Sequence, residues 1–359
     1  MSGRTWPIRA ALAATPAYQS SYAPRTPNEI KLNHNEAPAD VDAQFKAAVL
    51  QRLATAPWHR YDDAEALQLR QALATSTGPP VDGIAVGHGA NELLLRLGMA
   101  LDPQTRVVSP APDYYLYRRM AQVGGLPFAG VPLLRAGDGF TLDIAGLIAA
   151  AAQGPALLAL SNPNNPTGQL FAPTAIDRLL AEFPGPVLLD EAYVPFGGLS
   201  RLADLARRPG LAILGTLSKA QALAGVRVGY LLAEPTLVAQ LAKLAPPYPF
   251  GVLETTAAVV ALERADLAQA RVAAVVQERE RVVRTLRDLG VRVGPSAGSF
   301  VLLQLGVDRP AVLARLAQAE LAVRDIDREL PGCVRISIGT ASANDRALAA
   351  VALGLRDGG

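Results

Sequence analysis

Lys219 is the only charged residue in "LGTLSKAQALAGV", and the next positive charge is Arg227. An ammonium among apolar and small residues is costly unless it is paired or neutral. On this stretch alone two readings stay open. One is a solvated lysine on a short helix, the usual place for the residue type. The other is an amine whose pKa is lowered by an apolar wall and nearby cations, able to form an imine with an aldehyde.

Four other stretches carry chemistry-bearing residues where apolar runs end. In "VGHGANELLLRLGMAL" a glycine turn opens a helix whose first turn holds Ala90, Asn91 and Glu92. That is either a tight turn or an anion site on free backbone N–H groups. It is not a dinucleotide fingerprint, because Glu92 replaces the third glycine. In "PAPDYYLYRRM", Tyr114, Tyr115 and Tyr117 offer either core packing or a face on which a flat heterocycle stacks. "SNPNNPTG" has turn composition, yet it projects the Asn165 amide from a strand terminus. In "LLDEAYVPF", Asp190 ends a buried strand, as a helix cap or as the partner of a positive ring nitrogen. Ser218 and Arg227 complete a phosphate cradle, the arginine as a planar fork. One ligand offers a partner to all five stretches: pyridoxal 5′-phosphate, with its phosphate, flat ring, phenolic oxygen, pyridinium and aldehyde.

The elements that must position these residues alternate. Non-alternating apolar runs at 106–112, 156–161, 186–190, 211–216 and 226–233 read as buried strands. Helical patterns fill 91–101, 114–123, 173–183, 199–208 and 235–244. This predicts an α/β fold: a large domain with a mostly parallel central sheet covered by helices. Ligands of such sheets bind beyond the carboxyl ends of the strands. After "APPYPFG" (245–251) a long helical stretch over 252–289, a helix at 310–319, the apolar runs "LAVRDID" and "CVRISIG" and a terminal helix predict a smaller C-terminal α/β domain. The expected division is an N-terminal arm, 1–34, packing with the small domain, then a large domain, 35–248, and a small domain, 249–359.

The totals exclude several classes. The 34 basic and 32 acidic residues leave a net charge of +2, no footprint for nucleic acid or an acidic membrane surface. The single cysteine, Cys333, rules out an intramolecular disulfide, and His34, His59 and His88 show no metal-ligand spacing, so no metal is expected. Residues 144–176 carry no charge, but Gly154, Pro155 and "SNPNNPTG" interrupt the run before the ~20 apolar residues of a membrane span. The N-terminus lacks the apolar segment of a secretory signal. A cytoplasmic protein is expected.

The order and wording of the motifs resemble the fold-type I pyridoxal-phosphate aminotransferases, and within them the histidinol-phosphate aminotransferase group. The resemblance runs from "TPAYQS" and "KLNHNEAP" through "HRYDD", "GHGANE", "SNPNNPTG", "DEAYVPF", "TLSKAQALAGVRVGY" and "APPYPFG" to "VRDID" and "GCVRISIGT". It implies that Lys219 forms the imine with the cofactor, that Asp190 pairs with the pyridine nitrogen, and that Asn165 and Tyr193 hydrogen-bond the ring oxygen. It implies further that Tyr114 stacks on the ring and that Ala90, Asn91, Ser218 and Arg227 hold the phosphate. Tyr61 is similar to the tyrosine that reaches the neighbouring subunit's cofactor, which implies a homodimer with shared sites. Arg335 resembles the substrate-anion arginine, and Tyr18 and Arg324 resemble further substrate contacts.

The reaction so implied is a ping-pong transamination, L-histidinol phosphate and 2-oxoglutarate giving imidazole-acetol phosphate and L-glutamate, with Lys219 as general base and then acid. The chain departs from the group's usual pattern at Asn91, Asp113, Gly215, Gln221 and Gly298–Ser299. Other readings on similar scaffolds are an aromatic or broad-specificity aminotransferase and a threonine-phosphate decarboxylase. A cofactor-binding regulator without turnover is a further class, but the chain has no basic DNA-binding run.

Overall fold

The computed structural model describes residues 8–17, 26 and 29–358. A seven-stranded sheet runs in the order Ile84–His88, Val228–Leu232, Leu211–Thr216, Val187–Asp190, Ala156–Ser161, Arg106–Ala111, Phe128–Pro132. Six strands are parallel and Val228–Leu232 is antiparallel to both its neighbours. Four of the apolar runs expected as strands match the observed strand to within one residue at both ends. The fifth, read as 226–233, contracts to Val228–Leu232.

These runs do not alternate because both faces of the sheet are covered. Leu158, Leu160, Leu189 and Ile213 face one apolar core with Leu69, Leu73 and Ile176. Leu157, Ala159, Leu188 and Leu214 face the other, with Leu93, Leu97 and Met120. The helices Ala90–Ala100, Leu116–Gly124 and Pro235–Ala242 lie on this second face.

A second sheet has five strands, in the order Ile30–Leu32, Leu321–Asp325, Cys333–Ser337, Phe300–Gln304, Arg292–Val293. Ile30–Leu32 pairs parallel with Leu321–Val323 and the other pairs are antiparallel. Its own core joins Val301, Leu303, Val334 and Ile336 to Val275, Val282 and Leu286 of the helix Ala265–Asp288 and to Leu316 and Val351. Earlier in the chain, Arg9 donates to the Val123 carbonyl at 3.1 Å and Arg119 to that of Pro16 at 2.9 Å. That part of the arm therefore lies against Leu116–Gly124 of the larger lobe.

Two expected helices differ. Residues 199–208 hold a single helical turn, Leu202–Asp204. The Glu191 carboxylate accepts from Ser200 Oγ at 2.6 Å and from the Arg201 N–H at 2.7 Å, which draws the segment inward as a loop. The stretch 252–289 is two helices, Val252–Glu263 and Ala265–Asp288, broken at Arg264 (φ −107°, ψ 49°). Ala258, Val260 and Ala261 of the first helix pack in the core of the larger sheet. On that packing we propose that the lobes divide at Arg264 rather than at residue 248. Among the described residues no helix is long and apolar enough to cross a membrane.

Candidate active site

The carboxyl ends of Ile84–His88, Arg106–Ala111, Ala156–Ser161, Val187–Asp190 and Leu211–Thr216 open on one cavity of about 850 Å³, closed on its far side by the second sheet. Ala90, Asn91, Tyr114, Asn165, Asp190, Tyr193, Ser218, Lys219, Arg227, Arg324 and Arg335 all line it. Two further expected site residues remain. Tyr18 lies outside the described residues. Tyr61 is 82% exposed and stacks on Tyr248 with centroids 4.5 Å apart, away from the cavity of its own chain.

One end of the cavity is built for an anion. The helix Ala90–Ala100 begins at Gly89 (φ 73°) with no side chain capping it. Its first amides therefore face the cavity uncapped, and the one carboxylate of the first turn, Glu92, is engaged by the His88 N–H at 2.6 Å and by Arg96. Arg227, itself at φ 65°, arches over Gly89. Its Nη1 donates to the Ala224 carbonyl at 2.9 Å. Gly229 lets the next strand press in: a Cβ there would lie 2.2 Å from the Ala90 nitrogen. Ser218, 7% exposed, completes the cradle.

At the other end Asp190 accepts from the Ala192 N–H at 2.9 Å and the Tyr117 hydroxyl at 3.1 Å. Burial raises its carboxyl pKa, while these two donors and Lys219 favour the charged form. A carboxylate held this way gains from a cation directly in front of it. Tyr114 meets Tyr117 edge-on and donates its hydroxyl to Asn91 Oδ1 at 2.9 Å.

Lys219 Nζ donates to the carbonyls of His34 at 2.9 Å and Asn35 at 3.0 Å and makes no ion pair among the described residues. Its pKa falls to about 8, mainly through burial and then through the positive charge of Arg335; Arg227 adds to this and Glu36 and Asp190 oppose it. The amine is thus far easier to deprotonate than an ordinary lysine.

Arg335 is 8% exposed and pairs with no carboxylate among the described residues. It donates to Asn165 Oδ1 and to the Asn33 carbonyl, both at 2.5 Å, and its buried Nε has no hydrogen-bond partner. Burial above all pushes its pKa down to about 10. Arg324 stands opposite it on the adjacent strand. Such a cation lacks only an incoming anion.

Asn35 belongs to the site although the residue types alone gave it no role. At φ 53° it donates its Nδ2 to the Tyr193 hydroxyl at 2.9 Å and accepts from Ser337 Oγ at 2.8 Å, tying the two lobes together. The available signal was "LNHNE": asparagine tolerates the left-handed region better than most residues. The chemistry of the donor set fits pyridoxal phosphate end for end: an uncapped helix start with an arginine fork, a buried carboxylate, and a lysine with a lowered pKa.

Residues 27–351 match the family model of aminotransferases of class I and II. A histidinol-phosphate aminotransferase of Thermococcus gammatolerans is 35% identical over 90% of this chain and 91% of its own length. One of Methylibium petroleiphilum is 36% identical over 90% and 88%. The fold is similar to that of histidinol-phosphate aminotransferase from Sinorhizobium meliloti, solved with pyridoxal 5′-phosphate, at a TM-score of 0.87, 24% identity and 99% coverage of both chains. A near full-length family match and two relatives above one-third identity converge with the lysine, carboxylate and arginines of the cavity: the chain belongs to the class I and II aminotransferases.

Proposed function

We propose that the chain holds pyridoxal 5′-phosphate and moves an amino group between L-histidinol phosphate and 2-oxoglutarate. The observation that carries this reading is that Lys219, Asp190 and the carboxylate-free Arg335 line one cavity. The relatives at 35% and 36% identity support the choice of substrate.

When bound, the cofactor supplies an electron sink for negative charge developing at the substrate carbon. The protein's share is positional and acid–base. Arg227, Ser218 and the amides of Ala90 and Asn91 hold the phosphate. Asp190 keeps a negative charge at the ring-nitrogen end, which favours the protonated ring. The Asn165 carbonyl oxygen is engaged by Arg335, so its Nδ2 faces the cavity as a donor. The Tyr193 oxygen accepts from Asn35 and keeps its own proton to donate. Lys219 moves the proton at substrate Cα, as base and then as acid, with a pKa near the working pH. Arg335, with Arg324 beside it, takes the carboxylate of glutamate in one half-reaction and the phosphate of the other substrate in the second, both acceptable to a planar fork.

A two-fold dimer belongs to the same reading. Tyr61, Tyr248 and Trp58 leave aromatic surface exposed outside the cavity, and a second copy covering it would bring Tyr61 toward that copy's phosphate cradle. The experiment is a pair of single-turnover half-reactions followed by the visible spectrum. Histidinol phosphate should react faster than phenylalanine. Equal rates would move the reading to a broad-specificity enzyme, and carbon dioxide release from phosphothreonine would make it a decarboxylase.

A further inference from the structure

Asp113 has no place in the mechanism above, yet it lines the same cavity. It follows the strand Arg106–Ala111 and takes three neutral donors. Oδ1 accepts from the Tyr114 N–H at 2.7 Å and from the Ser161 hydroxyl, and Oδ2 accepts from the Ser161 N–H at 3.1 Å. Ser161, 2% exposed, ends its own strand in register with Asp190. Because its proton goes to Asp113, its Oγ presents a lone pair, and this accepts the Asn165 N–H at 3.0 Å. The Asn165 side chain in turn accepts from Arg335 Nη1. Asp113 and Ser161 therefore hold the main chain of Asn165, and the side chain carried on that main chain meets Arg335.

We propose that Asp113 is a positioning residue for substrate: by fixing the Ser161 hydroxyl it sets Asn165, and through Asn165 the direction of the Arg335 guanidinium. The proposal rests on the reading of Arg335 as the substrate-anion group. A carboxylate suits the task because it accepts the hydroxyl and both amides at once. An asparagine would turn an NH₂ toward one of those donors, and a serine could satisfy only part of the set. Every link is buried or partly buried, so an error at Asp113 is not absorbed by solvent.

The test is a double-mutant cycle on the cofactor-loaded protein. Succinate serves as the dicarboxylate probe, titrated through the visible spectrum, with melting temperature read in parallel. Asp113→Asn and Asp113→Ser should each weaken succinate about tenfold, the scale of one hydrogen bond to a charged group. Either variant alone suffices should the other fail to fold. Arg335→Lys should weaken succinate on its own, and adding Asp113→Asn to it should cost less than about twofold more. A full, additive loss in the Arg335→Lys background would overturn the proposal. So would a lowered melting temperature with unchanged succinate affinity, or a changed cofactor spectrum without weaker succinate. If Arg335→Lys itself binds succinate normally, the substrate reading fails, whatever Asp113 does.

Discussion

The Gly89 N–H donates to the Arg227 carbonyl at 2.9 Å, and the Arg227 guanidinium lies where a Cβ on Gly89 would be, 2.4 Å from Nη2. Neither residue can change without moving the other. Gly89→Ala should therefore behave as an Arg227 defect, on top of a backbone cost of roughly 1–3 kcal/mol at φ 73° and ψ 163°, a region almost confined to glycine. Cofactor affinity, by fluorescence titration, should fall about tenfold, as expected for a displaced charged donor. An unchanged affinity would remove Arg227 from the phosphate cradle.

Lys219→Ala should leave the phosphate cradle intact and remove the group that moves the proton at Cα. Turnover should fall by about three orders of magnitude or more, while non-covalent cofactor binding survives. Steady-state kinetics beside a cofactor titration checks both halves. Near-normal turnover would refute the role of Lys219.

The lowered lysine pKa makes a separate prediction for the cofactor-stripped protein. The folded value is about 8 against an ordinary lysine value of 10.5. Between those pH values the unfolded chain binds more protons at this residue than the folded one, so stability rises with pH. Below about pH 8 the folded state carries the full penalty, roughly 3.5 kcal/mol at 1.4 kcal/mol per unit. Urea unfolding of the wild type and of Lys219→Met from pH 7 to 10.5 should show the variant more stable at low pH and the gap closing as pH rises. A constant gap would mean that the amine is not desolvated.

Asp190→Asn preserves shape and removes charge. The amide can still accept from Ala192 or Tyr117, so the fold should hold. The half-reaction rate should drop roughly a hundredfold, the scale of losing one preorganised electrostatic contact, with substrate affinity little changed. Stopped-flow absorbance resolves the two.

Much of this site was legible in residue order, because each functional group sits where an apolar run stops. "ALLALS" and "PVLLD" must be strands covered on both faces, and their polar last residues must then share an edge. The direction of Val228–Leu232 was not legible, since a buried run reads alike in either orientation. The 199–208 helix failed for a tertiary reason: Glu191, 10 residues upstream of Arg201, captures that segment's donors. Asn35 and the contacts of Asp113 with Ser161 and of Asn165 with Arg335 were illegible because their partners lie far apart in sequence, 48 positions for Asp113 and Ser161 and 170 for Asn165 and Arg335. Asn35 meets Ser337 across 302 positions. Spacing along the chain carries no trace of such a meeting.

The cavity draws its parts from two different sheets. Everything that would keep the vitamin in place, Lys219, Asp190, Ser218 and Arg227, comes from the larger one. Arg324 and Arg335 come from the smaller. Descendants of this chain can therefore trade one acid for another by editing the smaller lobe, and still stay yellow.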